Sequence, residues 1–231
     1  AWAGGDPVYR EQNGAIMRPA LAEQRARVDQ AMAAAEKAFA AHLPALADDP
    51  RWIKARQSWN EIKNDADAPR AILLERHNAM IDALAALTST AADATHLSVD
   101  PYVGTFYLAQ LVTRQLPTTI EQMSKIRDIG AGIYASKELD RDDKHLIISL
   151  NTMAGTGLGE AKNMVEQKVM PTMPELKNQL AREASRLSGV AEAVDTFTQF
   201  KLLGKLFDSP PEAFFAGMTT ADRQQLERFR V

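Results

Sequence analysis

Apolar residues recur along this chain at spacings of three, four and seven, which are the spacings of one face of an α-helix. The clearest stripe alternates steps of four and three at Met80, Leu84, Leu87, Ala91 and Ala94. Such a stripe places all of these side chains on one side of a helix, where a neighbouring element can bury them. No segment alternates apolar and polar residues with the period of two that a strand requires. The pattern therefore predicts an all-α protein.

Proline and aspartate mark where these helices begin and end. Asp49-Pro50, Asp100-Pro101 and Asp140 each precede a stretch with helical periodicity. Asp is a favourable N-cap, and Pro fits the first helical turn, where its missing N–H is not needed. Pro117 lies inside a periodic segment, which predicts a kink rather than a break. The long helices predicted from these signals span residues 18–46, 69–96, 101–137, 143–170 and 175–207.

Long helices with short connections fold most economically as a bundle. We expect residues 1–231 to form an elongated antiparallel helical bundle, in which two four-helix-bundle-like modules are stacked and share long helices. A helix of about 35 residues would extend for about 52 Å. A rod of that length suits the transmission of a displacement between its ends better than it suits the enclosure of a large active site.

Composition and charge exclude several classes of protein. The chain has no cysteine, so disulfides, thiolate zinc sites and CxxCH haem attachment are excluded. The net charge is only −3 and no Lys/Arg cluster occurs, so we expect no nucleic-acid partner. No apolar run approaches the roughly 18 residues needed to cross a bilayer. The chain starts at Ala1 without an initiating Met or a signal sequence, and we expect it to be a soluble segment of a longer protein.

Residues that carry chemistry are present, but they are not spaced as a catalytic or metal site. No HExxH, ExxH or HxH spacing joins any two of the histidines, which are His42, His77, His96 and His145. The run Gly155-Thr156-Gly157-Leu158-Gly159 lacks the lysine of a phosphate loop, and it predicts a close approach between packed helices, as Gly130 and Gly132 do. Trp52 and Trp59 share a helix face and predict a buried hydrophobic plug more strongly than an aromatic ligand box. We expect no enzymatic activity, no metal and no cofactor.

The segment from Arg76 to Pro117 is the most distinctive part of the chain. It places cationic and aromatic side chains on helices that are otherwise strongly apolar. Such groups facing inward between the helices of a bundle can form a pocket for a small ligand, and Arg can clamp a carboxylate or oxyanion. Exposed arginines and a core tyrosine are the alternative interpretation of the same residues. The candidate ligand-binding residues are Arg76, His77, Tyr102, Thr105, Tyr107 and Arg114.

This part of the chain resembles a known family. The resemblance lies in the segments 77–84, 96–101, 105–108, 116–117 and 126–132. Together they resemble the pattern L-x-L-D-P-D-x-x-S-Y-Y-L-M … L-P … R-x-x-G of the helical sensor region of bacterial methyl-accepting chemotaxis proteins. That region also precedes histidine kinase and diguanylate cyclase modules. The resemblance is to the helical bimodular and nitrate-sensing-like types, and it does not separate the two.

Residues outside that core support the resemblance, and others depart from it. Asp29, the Trp52 and Trp59 pair, and the segment 211–215 match further family positions. The departures are Tyr102 where the family often has Asp, Phe106 in place of the first Tyr of a pair, and Ala109 in place of Met. The family usually has a further helix upstream of residues 4–6, which we expect to be missing here.

The resemblance implies the periplasmic ligand-sensing domain of a transmembrane chemoreceptor on the bacterial inner membrane. Such a domain binds a small polar ligand between helices and transmits a helix displacement through membrane segments that lie outside this chain. We expect the ligand to be an anion, either an organic acid or an oxyanion, and the intact receptor to be a homodimer. The alternative is a structural helical rod that binds partner proteins through its surface.

Overall fold

The computed structural model describes residues 7–65, 68–208, 210 and 213–218. Seven α-helices occur in this part of the chain, and 86% of the structure is helical. No strand occurs in the described residues. The all-α helical bundle that the periodicity predicts is confirmed. None of the helices in the same residues is long and apolar enough to cross a membrane.

The chain forms two compact units, Ala1–Thr95 and His96–Val231, each defined by the contacts among its own residues. The first unit contains α1 (Pro7–His42), α2 (Pro50–Asn64) and α3 (Arg70–Ala94). The second unit contains α4 (Val103–Gln110), α5 (Leu116–Ser136), α6 (Arg141–Met164) and α7 (Lys177–Thr196). Three π-helical segments extend or join these helices, namely Leu111–Gln115, Val165–Val169 and Phe197–Leu203. Residues 213–218 form a further helical turn.

Four of the five predicted long helices match continuous helical stretches of the structure, when each π-helical segment is counted together with the α-helices that it extends or joins. The differences at their ends are a few residues. The prediction for residues 18–46 is wrong at both ends, because α1 begins at Pro7 and ends at His42. Pro19 therefore lies inside α1 and does not mark its start. The helix ends before Pro44 because the residue before a proline is pushed towards extended backbone, and Leu43 has φ −142°. The turn at residues 208–211 also predicts a last helix that runs to the C-terminus; the part of it beyond residue 218 lies outside the described residues, as do residues 1–6.

The caps predicted at Asp49 and Asp140 are confirmed, but the cap predicted at Asp100 is wrong, because α4 begins at Val103 with Tyr102 as its N-cap and without a side-chain cap hydrogen bond. The Asp49 carboxylate accepts a hydrogen bond from the Arg51 backbone N–H at 2.8 Å and begins α2, with Pro50 as the first helical residue. The Asp140 carboxylate accepts from the Asp143 N–H at 2.7 Å and begins α6. Around Pro117 the chain stays helical, as predicted, and the π-helical segment Leu111–Gln115 directly precedes α5. The local sequence signals thus place the starts of α2 and α6 correctly, whereas the Asp100-Pro101 signal lies two residues ahead of the start of α4.

The first unit has a small core along α2. Trp59 is packed with residues of the same helix and of α3, the cluster being Ala55, Trp59, Ile62, Met80 and Ala83. Trp52 is 1% exposed and meets Phe39 of α1 edge to face, with ring centroids 5.1 Å apart. Both tryptophans are buried, so the interpretation of the pair as a hydrophobic plug is confirmed.

The second unit has the larger core, formed by α5, α6, α7 and the helical turn at 213–218. Two glycines in it make the close approaches that the sequence predicts. A Cβ on Gly130 would lie 2.5 Å from the Phe214 ring, and a Cβ on Gly157 would lie too close to the Thr119 hydroxyl. Gly155 and Gly159 make no such close approach, since no described residue lies within 4 Å of the position that a Cβ would take on either glycine. For these two glycines the predicted close approach does not occur within the described chain.

Candidate functional site

A cleft of about 520 Å³ opens on the surface of the first unit beside α2 and α3. Seven of its eight lining residues have polar or charged side chains, and all but one of the eight belong to α2 or its C-cap. They are Ile53, Arg56, Gln57, Asn60, Glu61, Asn64, Asp65 and Arg76. The α2 members lie on the face of the helix opposite its buried residues, because they recur at steps of three and four out of phase with Trp52, Ala55 and Trp59. The cleft is therefore an outward-facing feature of a well-anchored helix.

Arg76 is the one predicted ligand-binding residue that lines this cleft. Its Nη1 donates a hydrogen bond to Asp65 Oδ2 at 3.0 Å, and its Nε lies 3.8 Å from Glu61 Oε2. The side chain is 25% exposed, so the guanidinium is partly withdrawn from solvent while it remains accessible from the cleft. Two carboxylates from the C-terminal end of α2 thus orient the arginine of α3.

The charges that line the cleft balance one another. Arg56 and Arg76 contribute two positive charges, and Glu61 and Asp65 contribute two negative charges. Arg56 is also paired with Glu36 of α1 at 2.9 Å. The amides of Gln57, Asn60 and Asn64 add hydrogen-bond donors and acceptors without charge. A ligand bound here would meet both signs of charge within one small volume.

His77 follows Arg76 on α3, but it does not line the cleft. Its Nδ1 lies 2.7 Å from the backbone carbonyl oxygen of Leu73, one turn earlier in the same helix. This contact with its own helix and its half-buried position favour a structural role for His77. Its predicted part in ligand binding stays a prediction.

The other four predicted residues lie in the second unit. Tyr102 is 75% exposed at the start of α4, and Arg114 is exposed in the π-helical segment before α5. Thr105 and Tyr107 are half-buried on α4, and the Lys168 ammonium lies 5.8 Å from the centroid of the Tyr107 ring. Tyr107 also packs against the main core, which matches the alternative interpretation of this tyrosine. The six predicted residues are thus divided between the two units, and the role of the second-unit residues stays a prediction.

A buried indole and a carboxylate tie α2, and with it the cleft, to α1. Trp59 Nε1 donates to Asp29 Oδ1 at 2.8 Å, and the Lys63 ammonium donates to the same oxygen at 2.7 Å. The hydrogen bond from Lys63, followed by the one from Trp59, lowers the pKa of the Asp29 carboxyl below its usual value. Because Trp59 and Lys63 lie on α2, this cluster fixes the helix that lines the cleft against α1.

Of the eight residues that line the cleft only Arg76 was predicted from the sequence, and Glu61 and Asp65 are the missed residues that contact it. A signal exists for Glu61, because Gln57 and Glu61 are four apart, as are Asn60 and Asn64, which places these residues on one polar face of α2. Such faces are common on solvated helices, so the pattern alone does not mark a site. What distinguishes this one is the arginine of α3 that reaches it.

Metal ligation has no support in the described ranges, where no group of three or more His, Asp or Glu side chains is close enough to hold an ion. The positions of His42 and His145 near predicted helix ends predict solvated surface residues, and both side chains are exposed in the structure. No family model, curated protein or solved structure matches this chain significantly.

Proposed function

We propose that this chain is the periplasmic ligand-sensing domain of a bacterial transmembrane chemoreceptor, and that the cleft beside α2 and α3 takes the ligand. The resemblance of segments 77–84 through 126–132 to chemoreceptor sensor regions supports the class of protein. The assignment of the ligand site to the cleft rests on Arg76, which lines the cleft and is paired there with Glu61 and Asp65. An arginine oriented by carboxylates is ready to bind an anionic group without a large loss of side-chain entropy.

The charges in the cleft restrict the chemical class of ligand that we expect to bind. An organic acid or oxyanion is the class expected from the sequence, and it would pair with Arg76. A simple anion would also face the negative charge of Glu61 and Asp65 at close range. A ligand that adds a cationic or hydroxyl donor next to its carboxylate, such as an amino acid or a hydroxy acid, satisfies these carboxylates too. We therefore place small carboxylates with an adjacent donor group first among the candidates.

Signalling follows from differential binding. A ligand that contacts α2 and α3 together favours one packing arrangement of these helices over another, and the shift passes to the membrane segments outside this chain. The ligand has to bind the two arrangements with different affinities, since equal affinity would shift nothing. The ion pairs between Arg76 and the α2 carboxylates are the contacts that a bound ligand would rearrange.

A thermal-shift screen of the 231-residue chain tests the proposal. The panel contains organic acids, amino acids, hydroxy acids, nitrate, aromatic acids and divalent cations. A ligand at about a hundred times its Kd adds about 2.7 kcal/mol of stability, which raises Tm by several degrees. Titration calorimetry then gives the affinity of each hit.

Two matched arginine variants locate the site. Arg76→Gln removes the clamp in the cleft, and Arg114→Gln removes an exposed arginine of the second unit. Loss of binding in Arg76→Gln alone supports the cleft. Loss of ligand binding in Arg114→Gln alone would place the ligand site in the second unit and would overturn its assignment to the cleft. Silence across the whole panel argues against a ligand sensor and favours the helical rod that binds partner proteins.

The signalling step has its own test. A hybrid receptor that carries this chain in place of the sensor region of a chemoreceptor should give swimming cells a response to the ligand found in the screen. Arg76→Gln should abolish that response, and a hybrid that binds the ligand but never responds would contradict the chemoreceptor assignment.

A further inference from the structure

The cleft beside α2 and α3 separates its charges along α2. At the C-terminal end of the helix, Glu61 and Asp65 carry two negative charges and Arg76 carries one positive charge, so this end has a net charge of −1. Arg56 carries the positive charge towards the other end, and its ion-pair partner Glu36 belongs to α1 and does not line the cleft. Arg56 and Glu61 lie on opposite flanks of the outward face, and residues five apart in a helix have Cα atoms about 9 Å from each other. The cleft therefore suits a ligand with an ammonium and a carboxylate at separate ends.

Three side-chain amides lie on the outward face of α2 between these charges. They belong to Gln57, Asn60 and Asn64. The Gln57 amide donates to Glu61 Oε1 at 3.0 Å, which leaves its own carbonyl oxygen to accept. The side-chain amides of Asn60 and Asn64 are exposed and form no hydrogen bond with another described residue. A carboxamide has the same kinds of donor and acceptor as a peptide bond, so this row of amides can pair with the peptide groups of a ligand.

Ile53 adds an apolar surface at the N-terminal end of the cleft. Its side chain is 52% exposed, and it lies one turn before Arg56, where the two side chains are neighbours. An apolar side chain next to the ligand's carboxylate would cover Ile53. The rest of the lining contacts only groups that every peptide has, namely its termini and its peptide bonds.

We propose, on the assignment of the ligand site to this cleft, that the ligand is a peptide of about three residues with free termini. The N-terminal ammonium lies at Glu61 and Asp65, and the C-terminal carboxylate lies at Arg56. Arg76, which both carboxylates flank, donates to the carbonyl oxygen of the first peptide residue. An extended chain spans about 3.3–3.6 Å per residue, so three residues reach about 10 Å, whereas a free amino acid carries both charges on one carbon atom. Arg56 retains donors for the ligand, because Glu36 lies beside Nη1 and a guanidinium has several other N–H groups.

Titration calorimetry of the full chain with alanine, dialanine and trialanine tests the length of the ligand. Trialanine should bind about tenfold more tightly than alanine, because only the peptide reaches both Arg56 and the amides. Amidation of the C-terminus or acetylation of the N-terminus should each weaken trialanine binding about threefold, since each removes one exposed charge pair. Equal affinities for alanine and trialanine, or for the free and the blocked peptides, overturn the peptide ligand.

Arg56→Gln tests where the carboxylate binds. It should weaken the binding of trialanine about threefold and leave that of trialanine amide unchanged, because the amide has no carboxylate for Arg56 to pair with. Lys54→Gln removes an exposed positive charge of the same helix outside the cleft, and it should leave the binding of both peptides unchanged. An equal loss for trialanine and its amide in Arg56→Gln contradicts the predicted orientation and overturns the proposal.

Failure of the peptide ligand can be distinguished from failure of the proposed function. If compounds of the thermal-shift panel bind in a manner that requires Arg76 and no alanine peptide binds, the cleft stands and the peptide ligand is overturned. If neither the panel nor the peptides bind, both are overturned. Trialanine binding that survives both Arg56→Gln and Arg76→Gln would place the peptide outside the cleft and overturn the proposal as well.

Discussion

Gly130 of α5 and Phe214 lie in such close contact that a Cβ on the glycine would sit 2.5 Å from the phenylalanine Cε1. One turn earlier on the helix, the Arg127 guanidinium lies 4.7 Å from the centroid of the Phe215 ring. In the sequence these residues belong to two separate motifs, R-x-x-G and P-x-x-F-F, which are more than eighty residues apart. In the fold they form one contact, in which the helical turn at 213–218 is held against α5.

Gly130→Ala should destabilise the second unit by about 2 kcal/mol, because overpacking a full core costs more than the gain in helix propensity. The clash cannot be relieved cheaply, since Phe214 is 2% exposed and stacks on Tyr134 with centroids 4.6 Å apart. Urea unfolding followed by circular dichroism measures the change in the free energy of unfolding.

Gly189→Ala is the matched control for that experiment. Gly189 is an exposed residue of α7, and no described atom lies within 4 Å of its Cβ position. Alanine there should stabilise the protein by up to about 1 kcal/mol. Equal effects of the two substitutions would contradict the packing of Phe214 on α5.

Tyr134→Phe should cost about 1 kcal/mol, because the Tyr134 hydroxyl donates to the Leu206 carbonyl oxygen at 3.0 Å. The ring keeps its stack on Phe214 and its edge contact with Phe207, so the loss comes from the hydrogen bond alone. Tyr134→Ala removes both and should cost about 3–5 kcal/mol. If Tyr134→Phe is as damaging as Tyr134→Ala, the hydroxyl rather than the ring is the main contribution.

Asp29→Asn should change how stability depends on pH. The folded pKa of Asp29 is lowered by the hydrogen bonds from Lys63 and Trp59, so the folded state favours the charged carboxylate. Its stabilisation is fully present above the unfolded value of about 3.9 and is lost as the pH falls through the depressed folded pKa. The stability difference between the parent and Asp29→Asn should therefore be constant near neutral pH and shrink towards zero in acid.

Urea unfolding at a series of pH values from about 2 to 6 measures this difference, with tryptophan fluorescence as the probe. All three tryptophans precede residue 96, so the signal reports on the first unit. Asp82→Asn, at an exposed position of α3, is the control for the loss of one surface carboxylate. A pH-independent gap between the parent and Asp29→Asn would show that the hydrogen bonds do not favour the charged form.

Glu61→Gln and Asp65→Asn should alter which ligands the cleft prefers. Each removes a negative charge beside Arg76 and keeps a side chain of similar size. Simple anions should then bind about threefold more tightly, because an exposed charge pair contributes up to about 1 kcal/mol. Ligands that carry an adjacent ammonium should bind more weakly. Calorimetric titration of both ligand types measures the change, and a parallel shift for the two would argue against direct contact with the carboxylates.

Much of the helical architecture is determined by local sequence. Asp49 with Pro50, and Asp140 ahead of an apolar stripe, place the starts of α2 and α6 because caps act over three or four residues. The start of the first long helix, predicted at residue 18 next to Pro19, is misplaced, since α1 begins at Pro7 and continues through Pro19. A proline near the end of a predicted helix does not reveal whether the helix continues on its other side, because that depends on what packs against the segment.

Only part of the candidate site could be predicted from the sequence. Arg76 stands out in the chain because a cation interrupts an apolar stripe, but its partners Asp65 and Glu61 lie on another helix. Only the packing of α3 on α2 brings the three together. No sequence spacing expresses that contact, since residues on separate helices have no fixed offset along the chain.

The glycines of α6 show most clearly the difference between what the sequence determines and what the tertiary structure determines. Gly155, Gly157 and Gly159 have the same type and regular spacing, and the sequence predicts one role for all three. In the fold, Gly157 faces Thr119 of α5, whereas Gly155 and Gly159 face outward. The sequence by itself determined that this chain is built from amphipathic helices with defined ends. The tertiary structure alone decided which neighbour each face meets, because a helix rotates successive side chains by about 100° and only packing sets the direction of the first.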